Sequence, residues 1–165
     1  MDDFDSILDT NLNDIADLPE YLDFCPTGVF NINIVEAEHK KVEVDNPDKK
    51  VGGKIDADVL QVTYELESIA ELVDPTNENL VKTVAKDGTG SRFNESYFFH
   101  KDPKKSQEIF KAKYKAIADK LGLGSIGETL KAMKGLKIQC TVTSKKGKDK
   151  ENERYFINTS NIQVL

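Results

Sequence analysis

Residues 92–103 read RFNESYFFHKDP, and this stretch decides the fold. Its first part alternates. Phe93, Tyr97 and Phe99 share one side while Phe98 points to the other, which is the two-residue period of a strand. Its end changes period. Asp102-Pro103 is a helix N-cap followed by the favoured first-turn proline. Ile109, Phe110, Ile117 and Leu121 continue as an apolar stripe, and Gly122 is the expected stop. A strand therefore gives way to a helix within a few residues.

Two further strands are predicted upstream. From Gly28 to Glu38, Phe30, Ile32 and Ile34 alternate with Asn31 and Asn33. Over Ile55–Glu67, Leu60, Val62, Tyr64 and Leu66 oppose Gln61, Thr63, Glu65 and Glu67. Between them, 39–54 carries two Lys-Lys pairs, Asn46-Pro47-Asp48 and Gly52-Gly53, and reads as a loop or an extended hairpin arm around Val42 and Val44. Asp74-Pro75-Thr76-Asn77 is turn chemistry, Leu80–Val84 a short strand, and Lys86–Gly90 another turn.

Downstream, Ser125 and Glu128 have capping-box spacing and open a short helix ending near Gly135. Leu136, Ile138, Cys140 and Val142 then alternate against Lys137, Gln139, Thr141 and Thr143 in a strand over Leu136–Ser144. A Lys-rich loop, Lys145–Glu153, leads to a last strand near Arg154–Leu165. The order is β-β-β-α-β-β in a mainly β (α+β) chain with one or two helices. The architecture expected from it is an OB-like five-stranded, partly open barrel.

The 165 residues carry a formal charge of −6 that is unevenly spread. Residues 1–25 hold eight acidic side chains and no Lys or Arg, whereas 100–155 hold 15 basic against 7 acidic. The division expected is an acidic arm over 1–25 and one domain over 26–165. Phe4, Ile7, Leu8, Leu12, Ile15 and Leu18 recur at three- and four-residue steps, so the arm reads as a short amphipathic helix, or a segment that becomes one on binding. No apolar run is long enough for a membrane span, and the acidic N-terminus is unlike a signal peptide. Cys25 and Cys140 lie far apart and suggest free thiols in a reducing compartment, so a cytoplasmic location is expected.

The charge split makes nucleic acid the first partner to test. Single-strand binders need a positive groove for phosphates and flat rings for bases. The candidate stacking rings are Phe93, Tyr97, Phe99 and Tyr155. The candidate phosphate contacts are Arg92, Lys101, Lys145, Lys146, Lys148, Lys150 and Arg154. In the arm, Asp2, Asp3, Phe4, Asp5, Ile7 and Leu8 are candidates for binding a partner, or for lying in the basic groove in competition with DNA. No nucleophile pattern surrounds His39 or His100, and Gly88-Thr89-Gly90-Ser91 lacks the lysine and spacing of a phosphate-binding loop. No catalytic residue, metal or cofactor is assigned. The sequence leaves a homo-oligomer open.

Four places resemble a group of small phage-encoded single-stranded-DNA-binding proteins with an OB-type fold. They are Pro26-Thr27-Gly28-Val29-Phe30, Arg92 to His100-Lys101-Asp102-Pro103, Leu130 to Gly135-Leu136-Lys137, and Tyr155-Phe156-Ile157-Asn158 through Ile162. The resemblance spans about residues 26–165 and implies non-sequence-specific binding to single strands in replication, recombination or repair, within a host cytoplasm. One departure stands out. Such proteins commonly place an acidic recruiting tail at the C-terminus, whereas Asn158–Leu165 is uncharged and the acid here lies at the front. The rival reading is a protein-interaction module, such as a phage inhibitory or accessory factor whose acidic arm meets a basic partner surface.

Overall fold

A computed structural model describes residues 3–14, 18–147 and 155–165. Its elements run α1 (Asp3–Leu8), β1 (Gly28–Asp45), β2 (Lys54–Leu72), α2 (Val84–Asp87), β3 (Arg92–Phe98), α3 (Pro103–Leu121), α4 (Ile126–Met133), β4 (Lys137–Lys146) and β5 (Tyr155–Val164). Among the described residues, five strands form one antiparallel sheet in the order β3-β2-β1-β4-β5. The expectation of a mainly β, α+β chain is met in those terms.

The sheet curls. The β1–β2 register shifts at Val29/Phe30, Asn31/Ile32 and Ile34/Glu36, and each irregularity adds local bend and twist. The edge strands β3 and β5 consequently approach each other. Thr159 of β5 donates from its hydroxyl to the Glu95 carboxylate of β3. Beyond the curl, β1 and β2 continue as a ribbon through Asp45 and Lys54, so 39–54 is an extended hairpin arm with its turn at Asn46–Gly53. Gly52 and Gly53 take the left-handed backbone there.

The inner face carries Phe30, Ile32, Ile34, Val62, Tyr64, Leu66, Phe93, Ile138, Cys140 and Val142, all buried. α3 covers it with Phe110, Tyr114 and Ile117, and α4 adds Met133. The predicted α3 stripe is corrected at its ends, because Ile109 and Leu121 are exposed while Tyr114 is buried. The helix bounds follow their caps. Asp102 accepts from Lys105 N, and Gly122 ends α3 at φ 66°. Ser125 accepts from Glu128 N, but the Glu128 carboxylate reaches back one residue further than a capping box, to Gly124 N at 2.9 Å.

Two local expectations differ. The short strand predicted at Leu80–Val84 is absent. A 3-10 turn over Pro75–Leu80 and α2 stand there instead, started by Asp74, which accepts from both Thr76 N and Thr76 Oγ1. The N-terminal helix stops at Leu8, followed by a 3-10 turn at Leu12–Asp14. Asn13 N donates to the Asn11 side chain, the local bonding by which asparagine competes with helix. Among the described residues, no helix is long and apolar enough to cross a membrane.

Candidate nucleic-acid interface

The pairing of β3 with β2 decides which β3 side chains face out. Tyr64 opposes Phe93, Val62 opposes Glu95 and Leu60 opposes Tyr97. These residues share the inner face, so Phe93 and Tyr97 are buried and are corrected from stacking surface to core. Phe93 stacks on Tyr64 with ring centroids 5.0 Å apart. Tyr97 stands edge-on to Phe110 and Tyr114. Phe99, also on that side, is partly buried and packs against the same core. The physical reason is volume: Phe110, Tyr114 and Ile117 of α3 fill the space over the inner face.

Phe98 is the aromatic that parity sends outward, and it is 43% exposed. It shares the outer face of β3 with Arg92, Asn94 and Ser96. Across the gap between the sheet edges stand Tyr155, 43% exposed, and Phe156, 63% exposed, at the start of β5. Phe98, Asn94, Ser96, Tyr155 and Phe156 line one groove of about 390 Å³. Phe98 and Phe156 were missed as site residues. The signal that finds Phe98 is its place as the single ring on an otherwise polar alternation, Asn94-Ser96-Phe98.

The charged residues lining the groove itself are Asp23 and Glu95, and basic residues come beside its rings through the register with β4. Lys145 pairs in register with Phe156 and Lys146 with Tyr155, and both lysines are exposed. Lys148, Lys150 and Arg154 lie outside the described residues. Arg92 is already engaged, its Nε 3.0 Å from Glu65 Oε2. Lys101 sits apart, beside the hairpin tip residues Asp45, Asn46, Pro47 and Lys49. The structure thus sets Lys146 opposite Tyr155 and Lys145 opposite Phe156 on the alternate face, keeps Arg92 nearby in an ion pair, and separates Lys101 from them.

The arm meets the groove at its end. Arg92 N donates to Glu20 O at 2.7 Å, and Leu22 N to Arg92 O at 2.8 Å. Leu22 and Asp23 line the groove, and Phe24 packs edge-on against Tyr155 at 5.1 Å. Cys25 is buried and bonds Ser144 of β4 through its backbone N–H and C=O. Residues 20–25 therefore strap the two sides of the seam. Further out, Asp5, Ile7 and Leu8 are exposed on α1, and among the described residues no helix or strand packs against that helix. Asp3 and Phe4 lie in α1 by their backbone, and Asp2 lies outside the described residues.

Behind the groove is a buried polar cluster. Lys113 of α3 pairs with Glu95 and donates to Asn158 Oδ1 at 2.8 Å. The Tyr97 hydroxyl is 2.9 Å from that of Tyr114, which is 2.6 Å from that of Tyr64. Burial, first among the causes, raises the pKa of all three phenols above the ordinary range, so they hold their protons. Both thiols are free, and burial pushes them up to about 12, so neither is a poised nucleophile. Compared with protein-family models, curated proteins and solved structures, the chain matches none.

Proposed function

We propose that this chain is a non-enzymatic protein that binds single-stranded nucleic acid, DNA in the first instance, along the β3–β5 groove. The observation that carries the reading is the convergence of three exposed rings, Phe98, Tyr155 and Phe156, on one groove, with Lys145 and Lys146 in register with Phe156 and Tyr155. Rings without sequence-reading donors stack any base, and lysines track the backbone.

The reading includes an OB-type, partly open barrel. It is supported by β1 lying between β2 and β4, and by the approach of the two edge strands. Proteins of that design bind oligonucleotides on the face of their second and third strands and on the first and fourth strand connections. In this chain Phe98 lies on β3, and Tyr155 directly follows the β4–β5 connection. A role in phage replication, recombination or repair, in a host cytoplasm, belongs to the same proposal.

The test is a titration of labelled oligo(dT) at about 50 and 200 mM salt, with oligo(U) alongside. Binding should weaken steeply with salt as counterions are released. No binding at low salt, or affinity indifferent to salt, rejects the reading.

A further inference from the structure

A second groove lies on the far side of α3, where that helix meets α4. Its volume is about 580 Å³. The floor is apolar, with Ala118, Leu123 and Ile126 partly exposed. Lys104, Lys111 and Lys115 stand along its rim, spaced seven and then four residues apart, so they follow one face of the helix. None of these lysines has an ion-pair partner among the described residues. Glu108 and Asp119 also line the groove, leaving its rim net positive by one charge. An apolar trough with a cationic edge fits a short acidic helix that carries an apolar stripe.

The chain carries such a segment. α1 leaves Ile7 and Leu8 exposed at 64% and 66%, and Leu12 beyond it at 82%. Acidic Asp5 and Asp9 border these residues, and no basic residue occurs before position 26. The tether is long enough. The chain is tied to the domain at Glu20, and the 12 residues back to Leu8 reach about 40 Å when extended, more than the roughly 30 Å span of a domain this size. Tethering also raises the local concentration into the millimolar range, so a weak contact is populated.

We propose that the α3–α4 groove receives the chain's own segment Asp3–Asp9, with Ile7 and Leu8 against the floor and Asp5 and Asp9 toward Lys104, Lys111 and Lys115. This contact does not depend on nucleic-acid binding, and it leaves the β3–β5 groove open. It places the acidic arm on the helical side of the domain.

Both native cysteines are buried, so a nitroxide on Ser6→Cys of the full-length protein labels the arm selectively. Amide signals of Leu123–Ile126 should broaden in the ¹⁵N spectrum. The broadening should disappear in Lys104→Glu/Lys111→Glu/Lys115→Glu and in Ile7→Asp/Leu8→Asp, while the spectrum of the strands stays in place. Unbroadened groove signals, or broadening that survives both variants, overturns the proposal. Broadening centred on Phe98 and Tyr155 instead puts the arm in the β3–β5 groove and also overturns it. A mixture of labelled, ¹⁴N protein with unlabelled, ¹⁵N protein should show no broadening. Broadening there assigns the contact to a second copy and rejects docking within one chain.

Discussion

Removing the Lys113 ammonium should damage this protein more than any surface-charge change. Lys113 and Glu95 have side-chain exposures of 12% and 8%, so both charges are largely out of water. In Lys113→Met the aliphatic stem is kept and the charge lost. Among the described residues, the Glu95 carboxylate then retains the Thr159 hydroxyl and a long 3.4 Å bond from the Tyr97 hydroxyl. Asn158 loses its donor as well. Leaving a buried charge unpaired costs about 3–5 kcal/mol. That is a large share of the roughly 5–15 kcal/mol that holds a domain folded. With a urea slope of about 2 kcal/mol per molar, the unfolding midpoint should fall by about 2 M.

The companion is Lys113→Met/Glu95→Gln. A neutral amide does not require a counter-charge, so the double variant should recover at least half of the loss. The assay is equilibrium urea unfolding of both single variants, the double variant and the parent, read as a double-mutant cycle. A single Lys113→Met loss below about 1 kcal/mol, or a double variant no more stable than that single one, refutes the reasoning. Either result would mean that the seam between β3 and β5 does not depend on this pair.

Three further outcomes follow from the same structure. Phe98→Ala and Tyr155→Ala should each weaken oligo(dT) binding by about 1–3 kcal/mol with the urea midpoint little changed, whereas Phe93→Ala should cost about 3–5 kcal/mol of stability, since Phe93 is core; fluorescence titration and urea unfolding separate the two effects. Stability should fall above about pH 9, because Cys25, Cys140, Tyr64, Tyr97 and Tyr114 hold their protons in the folded chain at a pH where the unfolded chain releases them; the contribution is complete below that pH and lost as pH rises toward 12, so a urea midpoint at pH 10 equal to that at pH 8 contradicts it. Gly90→Ala should lower the melting temperature, because a Cβ there collides with the Leu66 carbonyl oxygen, while Gly127→Ala in α4 meets nothing and should raise it slightly.

Alternation and capping were legible in the residues. The periods of Phe30-Ile32-Ile34, Leu60–Leu66 and Ile138–Val142 specify strands, Asp102 and Gly122 specify where α3 begins and ends, and Ser125 where α4 begins. These are local properties, set by backbone geometry within a few residues. The length of the β1–β2 ribbon was not legible. Val42 and Val44 alternate weakly among lysines, and pairing with β2, not propensity, holds them extended.

The same divide runs through the candidate site. Residues 92–99 by themselves establish that Phe93, Tyr97 and Phe99 share a side opposed to Phe98. Which side is sealed depends on α3, whose Phe110, Tyr114 and Ile117 come to lie on it from positions later in the chain. Tyr155 and Phe156 join Phe98 only because the curled sheet brings its two edges together. Periodicity orders side chains along one element, but solvent is excluded by elements meeting, and that meeting is a property of the assembled chain.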